Sequence, residues 1–129
     1  MNQNIVNITF LVNNYDEAIE YFTNHLSFTL IEDTIISDEK RWVRIAPDKS
    51  VNFSLLLAKA TTKLQKETVG CQFGDRVGFF IHTDNFAESY EKMKNNGVKF
   101  IENPRYESYG TVVVFEDLYG NKWDLIESV

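Results

Sequence analysis

The pattern of apolar and polar positions divides the chain into two similar runs of elements. Alternating apolar residues predict a strand at IVNITFLV, and apolar residues at helical spacing predict a helix at YDEAIEYFTNHL, which Asn13 and Asn14 can cap. Three more strands are predicted at FTLIEDTII, RWVRIAP and VNFSLLLA, with PDKS turning the last pair. The second half predicts a strand at VGFFIHT, a helix at NFAESYEKMKNNG ending at Gly97, and strands at VKFIE, TVVVFED and NKWDLIE. The order is β-α-β-β-β, twice.

The two halves also resemble each other in sequence. VNNYDEAIEYFTN (residues 12–24) aligns with TDNFAESYEKMKN (83–95) at an offset of 71, and NFSLL (52–56) aligns with KWDLI (122–126) at an offset of 70. Such a repeat indicates one supersecondary unit used twice. We therefore predict an α+β fold of two βαβββ modules in one domain, residues 1–129. Module one spans 1–60, a polar linker 61–76, and module two 77–129.

Strand alternation sorts the side chains into two faces, because successive residues of a strand point to opposite sides of a sheet. The face expected under the helices is apolar and includes Val6, Ile8, Phe10, Val12, Val43, Ile45, Phe53, Leu55, Leu57, Val77, Phe79, Ile81, Trp123 and Leu125. The opposite face is mixed, with Asn7, Thr9, Trp42, Arg44, Ser54, Phe80, His82, Glu116 and Asp124. Aromatic walls with a few polar groups are typical of a small-molecule site. A solvated sheet face and a subunit contact are the alternatives.

Pairing across the two hairpins refines this interpretation. If Glu116 opposes Lys122 across the LYGN turn, Val114 opposes Asp124. The same register in module one places Arg44 opposite Ser54 and Trp42 opposite Leu56. Arg44 is then the expected partner of the Asp124 carboxylate, since a guanidinium can bind a carboxylate with two hydrogen bonds.

Charge and cysteine content narrow the function classes. The net charge of −6 argues against a nucleic-acid surface, and no apolar stretch reaches the ~18 residues of a membrane span. The N-terminus lacks the pattern of a signal peptide. A single cysteine, Cys71, excludes an internal disulfide. These features predict a cytoplasmic protein with no nucleic-acid or membrane partner.

In its repeated modules and its final hairpin, the chain resembles the vicinal oxygen chelate superfamily, which includes glyoxalase I, bleomycin resistance proteins and extradiol dioxygenases. Paired βαβββ modules are that fold, and EDLYGNKWDLIE is similar to its final hairpin. KRWVRIAP and RYESYGTVVVFEDLYGN resemble a bacterial glyoxalase-like subgroup. The resemblance implies a curved, mixed, eight-stranded sheet, the cup, with helices on its convex face. It also implies a homodimer.

The metal enzymes of this superfamily take one ligand from each of the first, fourth, fifth and eighth strands. The resemblance carries these positions to Asn7, Ser54, Gly78 and Asp124, which we expect to surround one hollow. Only Asp124 offers a good ligand for a divalent ion. No metal or other cofactor is therefore expected. A relocated metal site at His82, Glu116 and Asp124 is the alternative, and it requires favourable curvature of the sheet.

The segment NPRYESYG (103–110) is a second place where ligand contacts are expected. Arg105 and Tyr109 are predicted in a loop over the rim of the cup, and the alternative is a sixth strand that continues from VKFIE. The sequence thus favours a metal-independent protein that binds or sequesters a small molecule. The ligand-binding residues would be Asn7, Thr9, Trp42, Arg44, Ser54, Phe80, His82, Arg105, Tyr109, Glu116 and Asp124. The alternative is a lyase- or dioxygenase-like enzyme, for which His82 is the candidate catalytic base.

Overall fold

The computed structural model describes residues 1–129. The chain divides into two compact units, Met1–Val69 and Gly70–Val129. The first unit contains the predicted module one and the second contains the predicted module two, with the linker divided between them. From here on, module one and module two denote these two units. None of the helices is long and apolar enough to cross a lipid bilayer.

Module one is a four-stranded sheet with a helix packed on it. Its elements are β1 (Asn7–Val12), α1 (Tyr15–Asn24), β2 (Thr29–Ile35), β3 (Arg41–Ala46), β4 (Ser54–Lys59) and α2 (Lys63–Thr68). The strand order is β1-β4-β3-β2, in which β1 runs parallel to β4 and the other pairs are antiparallel. Helix α1 contacts β2, β3 and β4.

Module two repeats this arrangement. Its elements are β5 (Val77–His82), α3 (Phe86–Asn95), β6 (Lys99–Phe100), β7 (Arg105–Glu107), β8 (Gly110–Glu116) and β9 (Lys122–Ser128). The order is β5-β9-β8-β6, and β7 also pairs with β8. The sixth predicted strand is present in two pieces, so the NPRYESYG segment contains a strand. The structure confirms the α+β fold of two βαβββ modules.

The helix starts show the repeat at the level of single hydrogen bonds. Asn14 caps α1 by accepting a hydrogen bond from the Glu17 backbone N–H, and Asn85 caps α3 by accepting one from Glu88. Such caps contribute about 1 kcal/mol each. Helix α3 ends before Gly97, as predicted.

Burial confirms most of the predicted helix-facing positions. Phe10, Val43, Ile45, Leu57 and Leu125 are fully or almost fully buried. The prediction was wrong for three others: Val6, Ile8 and Phe53 are exposed. Val6 and Phe53 lie just outside β1 and β4, where the alternation does not hold, and Ile8 lies on β1, which is an edge strand.

The predicted strand register is correct for the β8–β9 hairpin of module two and wrong for the β3–β4 hairpin of module one. In module two, Glu116 opposes Lys122 and Val114 opposes Asp124, as predicted. In module one, Arg44 opposes Leu56 rather than Ser54, so that prediction and the Trp42–Leu56 pair were wrong. The turn lies further along than PDKS implies, because the Val51 N–H bonds to the Asp48 carbonyl and residues 47–53 connect the strands. The shift is two residues, so each side chain keeps its predicted face.

The final hairpin is organised by a buried carboxylate. Asp117 accepts hydrogen bonds from the backbone N–H groups of Tyr119 and Asn121, at 2.9 and 3.1 Å. Its Oδ2 accepts from Asn121 Nδ2 at 3.0 Å and from Trp123 Nε1 at 2.8 Å. The Trp123 ring stacks on Phe79. The EDLYGN motif therefore has a structural role in holding this turn and its tryptophan.

Candidate functional site

A cavity of about 300 Å³ opens on the mixed face of module one. It is lined by Val6, Asn7, Trp42, Arg44, Val51, Asn52 and Phe53. Strands β1 and β3 supply three of the predicted site residues, Asn7, Trp42 and Arg44. The connection between β3 and β4 supplies Val51, Asn52 and Phe53, which the strand pattern did not assign to a site.

A chain of hydrogen bonds joins the polar side chains of this wall. The Arg44 guanidinium donates from Nε to Glu32 Oε1 at 3.0 Å and from Nη1 to Ser54 Oγ at 3.3 Å. Ser54 Oγ in turn donates to Asn7 Oδ1 at 2.5 Å. Asn7 and Ser54 are direct neighbours in the parallel pairing of β1 with β4. The sequence-predicted residues Asn7, Arg44 and Ser54 are thus held in one network.

Arg44 pairs with Glu32, and not with Asp124 as expected. Arg44 on β3 and Glu32 on β2 oppose each other, so their side chains lie on the same face of the sheet. The sequence alone does not show the register of β2, so Glu32 was not among the predicted site residues. Thr9, the other predicted residue of module one, is exposed on β1.

In module two, Asp124 lies on β9 between Val114 of β8 and Phe80 of β5. Its Oδ1 is buried and accepts no hydrogen bond. Burial raises the pKa of the Asp124 carboxyl, nearby Arg105 lowers it, and nearby Glu102 raises it. The Asp124 carboxylate therefore has fewer hydrogen-bond donors around it than the Asp117 carboxylate.

Arg105 itself is committed to two carboxylates. Its Nε donates to Glu102 at 2.8 Å and its Nη1 to Glu107 at 2.9 Å. These contacts hold the pKa of Arg105 above its ordinary value, with Glu102 the largest cause. Arg105 lies on β7, while Tyr109 is exposed in the turn that leads into β8. Whether either contacts a ligand stays a prediction.

A β-bulge separates Gly78 from Asp124. Val77 pairs with Lys122 and Phe79 with Trp123, so Gly78 is an extra residue on β5 and Phe80 becomes the neighbour of Asp124. The Phe73 ring packs against Gly78, where an added Cβ would lie 2.0 Å from Phe73 Cδ2. The backbone of Gly78 is accordingly covered by an aromatic ring.

The remaining predicted residues of module two lie on β5 and β8. Phe80 is 61% exposed and His82 is also exposed, opposite Ile126. Glu116 forms an ion pair with Lys99 at 3.0 Å. No three His, Cys, Asp or Glu side chains in the chain come together in a way that could hold a metal ion, so the alternative set of His82, Glu116 and Asp124 is not assembled.

A model of the Glyoxalase/Bleomycin resistance protein/Dioxygenase superfamily matches residues 4–125. The chain belongs to this superfamily. An uncharacterized protein of Shewanella frigidimarina is 49% identical over 128 residues, which cover 98% of this chain and 95% of that protein. The uncharacterized protein YetH of Bacillus subtilis is 26% identical over 98% of this chain and all of its own length.

Solved structures share the fold of this chain. The crystal structure of UcmS2 is 25% identical with a TM-score of 0.84, and 98% of each chain is covered. TnmS3, described as an antibiotic binding protein from Streptomyces sp. CB03234, is 20% identical with a TM-score of 0.80 over 98% of this chain and 97% of its own. The recognition of the superfamily from the paired modules and the final hairpin is confirmed.

The metal ligands that the superfamily implies do not fit the residues of this chain. Asn7 uses its carbonyl oxygen to accept a hydrogen bond from Ser54, and Gly78 has no side chain. Asp124 is the one carboxylate among the four positions. Zinc, nickel and iron sites need several imidazole, thiolate or carboxylate ligands around one ion. These positions offer only one.

Proposed function

We propose that this protein binds a small organic molecule in the cavity of module one, without a metal ion. The observation that carries the proposal is the composition of the cavity wall. Trp42, Phe53, Val6 and Val51 supply apolar surface, and the Arg44 and Asn7 side chains supply hydrogen-bond donors beside it. Pockets with apolar walls and a few placed polar groups are the usual form of small-molecule sites.

The comparisons support binding at the level of the superfamily. TnmS3 shares the fold and is described as an antibiotic binding protein. Binding without a metal is supported by the four positions carried over from the superfamily, which lack the ligand set of its metal enzymes. A ligand held by this cavity would instead be bound by hydrogen bonds and apolar contact.

The proposal is tested by screening a library of small aromatic compounds for thermal stabilisation, followed by calorimetric titration of the hits. We expect a compound whose affinity is unchanged by a chelator and falls at least tenfold in Trp42→Ala, because truncating a well-packed aromatic anchor costs more than about 1.4 kcal/mol. Tyr106→Ala is the matched control, since Tyr106 is an aromatic residue of module two that is 83% exposed.

Two results would contradict the proposal. One is a screen in which no compound stabilises the protein. The other is binding that responds equally to Trp42→Ala and Tyr106→Ala, since the ligand would then not occupy this cavity. Loss of binding on chelator treatment, restored by one metal ion per chain, would overturn the metal-free part alone.

We also propose that the chain forms a homodimer, in keeping with its superfamily. Exposed apolar side chains such as Ile5, Ile35 and Ile36 give module one surface that a second copy could cover. Light scattering at dilute protein concentration tests this, and a monomer would contradict it. The cytoplasmic location and the enzyme alternative with His82 as a base stay predictions.

A further inference from the structure

We propose that the ligand of the module-one cavity is an aromatic carboxylic acid, whose carboxylate is bound by the N–H groups of Arg44 and Asn7 and whose ring lies against Trp42 and Phe53. This inference rests on the proposed function, because it names the class of molecule that the same cavity takes. Hydrogen-bond donors that the protein leaves unused are the feature that points to it.

The guanidinium of Arg44 has donors to spare. A guanidinium carries five N–H groups. One, at Nε, goes to Glu32 Oε1, and one at Nη1 goes to Ser54 Oγ. The other three have no partner within the protein. Because Arg44 lines the cavity, a planar carboxylate is the complementary acceptor for this fork of donors.

The amide of Asn7 is oriented by the same network. Its Oδ1 accepts the hydrogen bond from Ser54 Oγ, which leaves the two N–H groups of Nδ2 without a protein partner. The Ser54 hydroxyl accepts from Arg44 and donates to Asn7, so both side chains are held by one residue. Asn7 and Arg44 thus present only donors, and the Trp42 indole adds a further N–H donor. Asn52 is the one other polar side chain of the lining. A ligand group rich in acceptors matches this wall better than a cation does.

The rest of the lining selects for a flat apolar body. Trp42 and Phe53 are aromatic, and Val6 and Val51 are aliphatic. The cavity volume of about 300 Å³ is at the low end of the roughly 300–1,000 Å³ of ligand pockets. This size suits a one- or two-ring molecule.

Substitutions of Glu32 and Arg44 should change the affinity for an acid in opposite directions. Its carboxylate is the present ion-pair partner of Arg44 and would compete with a ligand carboxylate for the guanidinium. It also repels a bound anion. Replacing Glu32 by a neutral amide should therefore strengthen the binding of an acid, whereas replacing Arg44 should weaken it.

The experiment compares 2-naphthoate with its neutral isostere 2-naphthamide by calorimetric titration. For the wild-type protein we expect naphthoate to bind at least tenfold more tightly. Arg44→Gln should reduce naphthoate affinity about tenfold to hundredfold, as expected for a lost hydrogen bond to a charged group, and leave naphthamide nearly unchanged. Glu32→Gln should raise naphthoate affinity several-fold. Thermal unfolding of each variant reports whether it is folded.

Equal affinity for the acid and the amide, or weaker naphthoate binding in Glu32→Gln, would overturn the inference while the cavity remained a ligand site. Failure of both naphthalene probes, alongside a library compound whose binding depends on Trp42, would also overturn the aromatic-acid assignment and leave the proposed function standing. If Arg44→Gln does not fold, the inference is still tested by the affinities of the wild-type protein for the acid and the amide and by the naphthoate affinity of Glu32→Gln. Absence of any ligand would remove both proposals.

Discussion

The carboxylate of Asp117 should be one of the most sensitive side chains for stability, and Asp117→Asn is the sharpest way to test it. Asp117 is 6% exposed and accepts hydrogen bonds from two backbone N–H groups, from Asn121 Nδ2 and from the Trp123 indole. Asparagine has nearly the same shape, but it replaces one acceptor oxygen by an NH₂ donor. Whichever oxygen is lost, an N–H group then faces another N–H group in a buried turn.

The expected cost follows from that mismatch. If the remaining oxygen stays with the backbone N–H groups of Tyr119 and Asn121, the Trp123 indole N–H loses its partner. A buried donor without a partner costs about 1–3 kcal/mol, and loss of the charge weakens the remaining hydrogen bonds. Removing a charge from a buried site offsets part of this cost. We expect Asp117→Asn to lower the free energy of unfolding by about 2–3 kcal/mol.

A double-mutant cycle with Trp123→Phe isolates the indole contact. Phenylalanine keeps an aromatic ring against Phe79 and removes the N–H that the asparagine would oppose. The double variant should therefore be more stable than the sum of the single effects predicts, by about 1–2 kcal/mol. Urea unfolding followed by circular dichroism gives the four free energies, and an unchanged slope with denaturant confirms that the same surface is exposed.

Two results would refute this reasoning. If Asp117→Asn changes stability by less than about 0.5 kcal/mol, Asp117 is not the buried acceptor that the hydrogen bonds indicate. If the two substitutions add without coupling, the Trp123 indole does not depend on the carboxylate.

Three further changes test other features. Burial raises the pKa of Asp124, so its ionised form is disfavoured in the folded protein. Asp124→Asn should therefore be more stable than wild type in urea unfolding at pH 7. This difference in the free energy of unfolding should shrink as the pH falls below the pKa of Asp124 in the folded protein. Gly70→Ala places a Cβ 1.9 Å from a backbone oxygen and should lower the melting temperature far more than Gly74→Ala, which has a similar positive φ but open space. Gly78→Ala should cost about 1–3 kcal/mol by overpacking, and less in a Phe73→Ala background.

The sequence was sufficient to predict the architecture because the two modules repeat one pattern of burial. Alternation on β8 and β9 placed Val114 opposite Asp124 correctly, since the short turn fixed by Asp117 leaves one register. The mixed face predicted for module one contains the cavity residues Asn7, Trp42 and Arg44.

The differences arise where the chain departs from regular pairing. The longer connection of residues 47–53 moved the β3–β4 register by two residues and brought Phe53 to the cavity. One bulge at Gly78 made Phe80 the neighbour of Asp124. The bulge is not visible in the sequence, because VGFFIHT keeps its apolar residues at every second position. The partner of Arg44 was missed because the pairing of β2 with β3 brings in Glu32, and the irregular register of β2 is not visible in its sequence.

Helix α2 was missed for a different reason. Its six residues bury no side chain, so there is no apolar period to detect. Its start is a capping box in which Thr62 and Gln65 satisfy each other's backbone N–H groups, and this T-x-x-Q spacing was the available signal in the polar linker.

The ring of Phe73 also constrains how this lineage can change. A mutation that gave position 78 an imidazole or a carboxylate would first meet that ring and distort the strand, so the intermediate protein would be less stable before it gained any chemistry. The order of events would have to be reversed, with Phe73 shrinking before Gly78 grows. A path toward metal chemistry at this position therefore begins at a residue that no ligand motif includes.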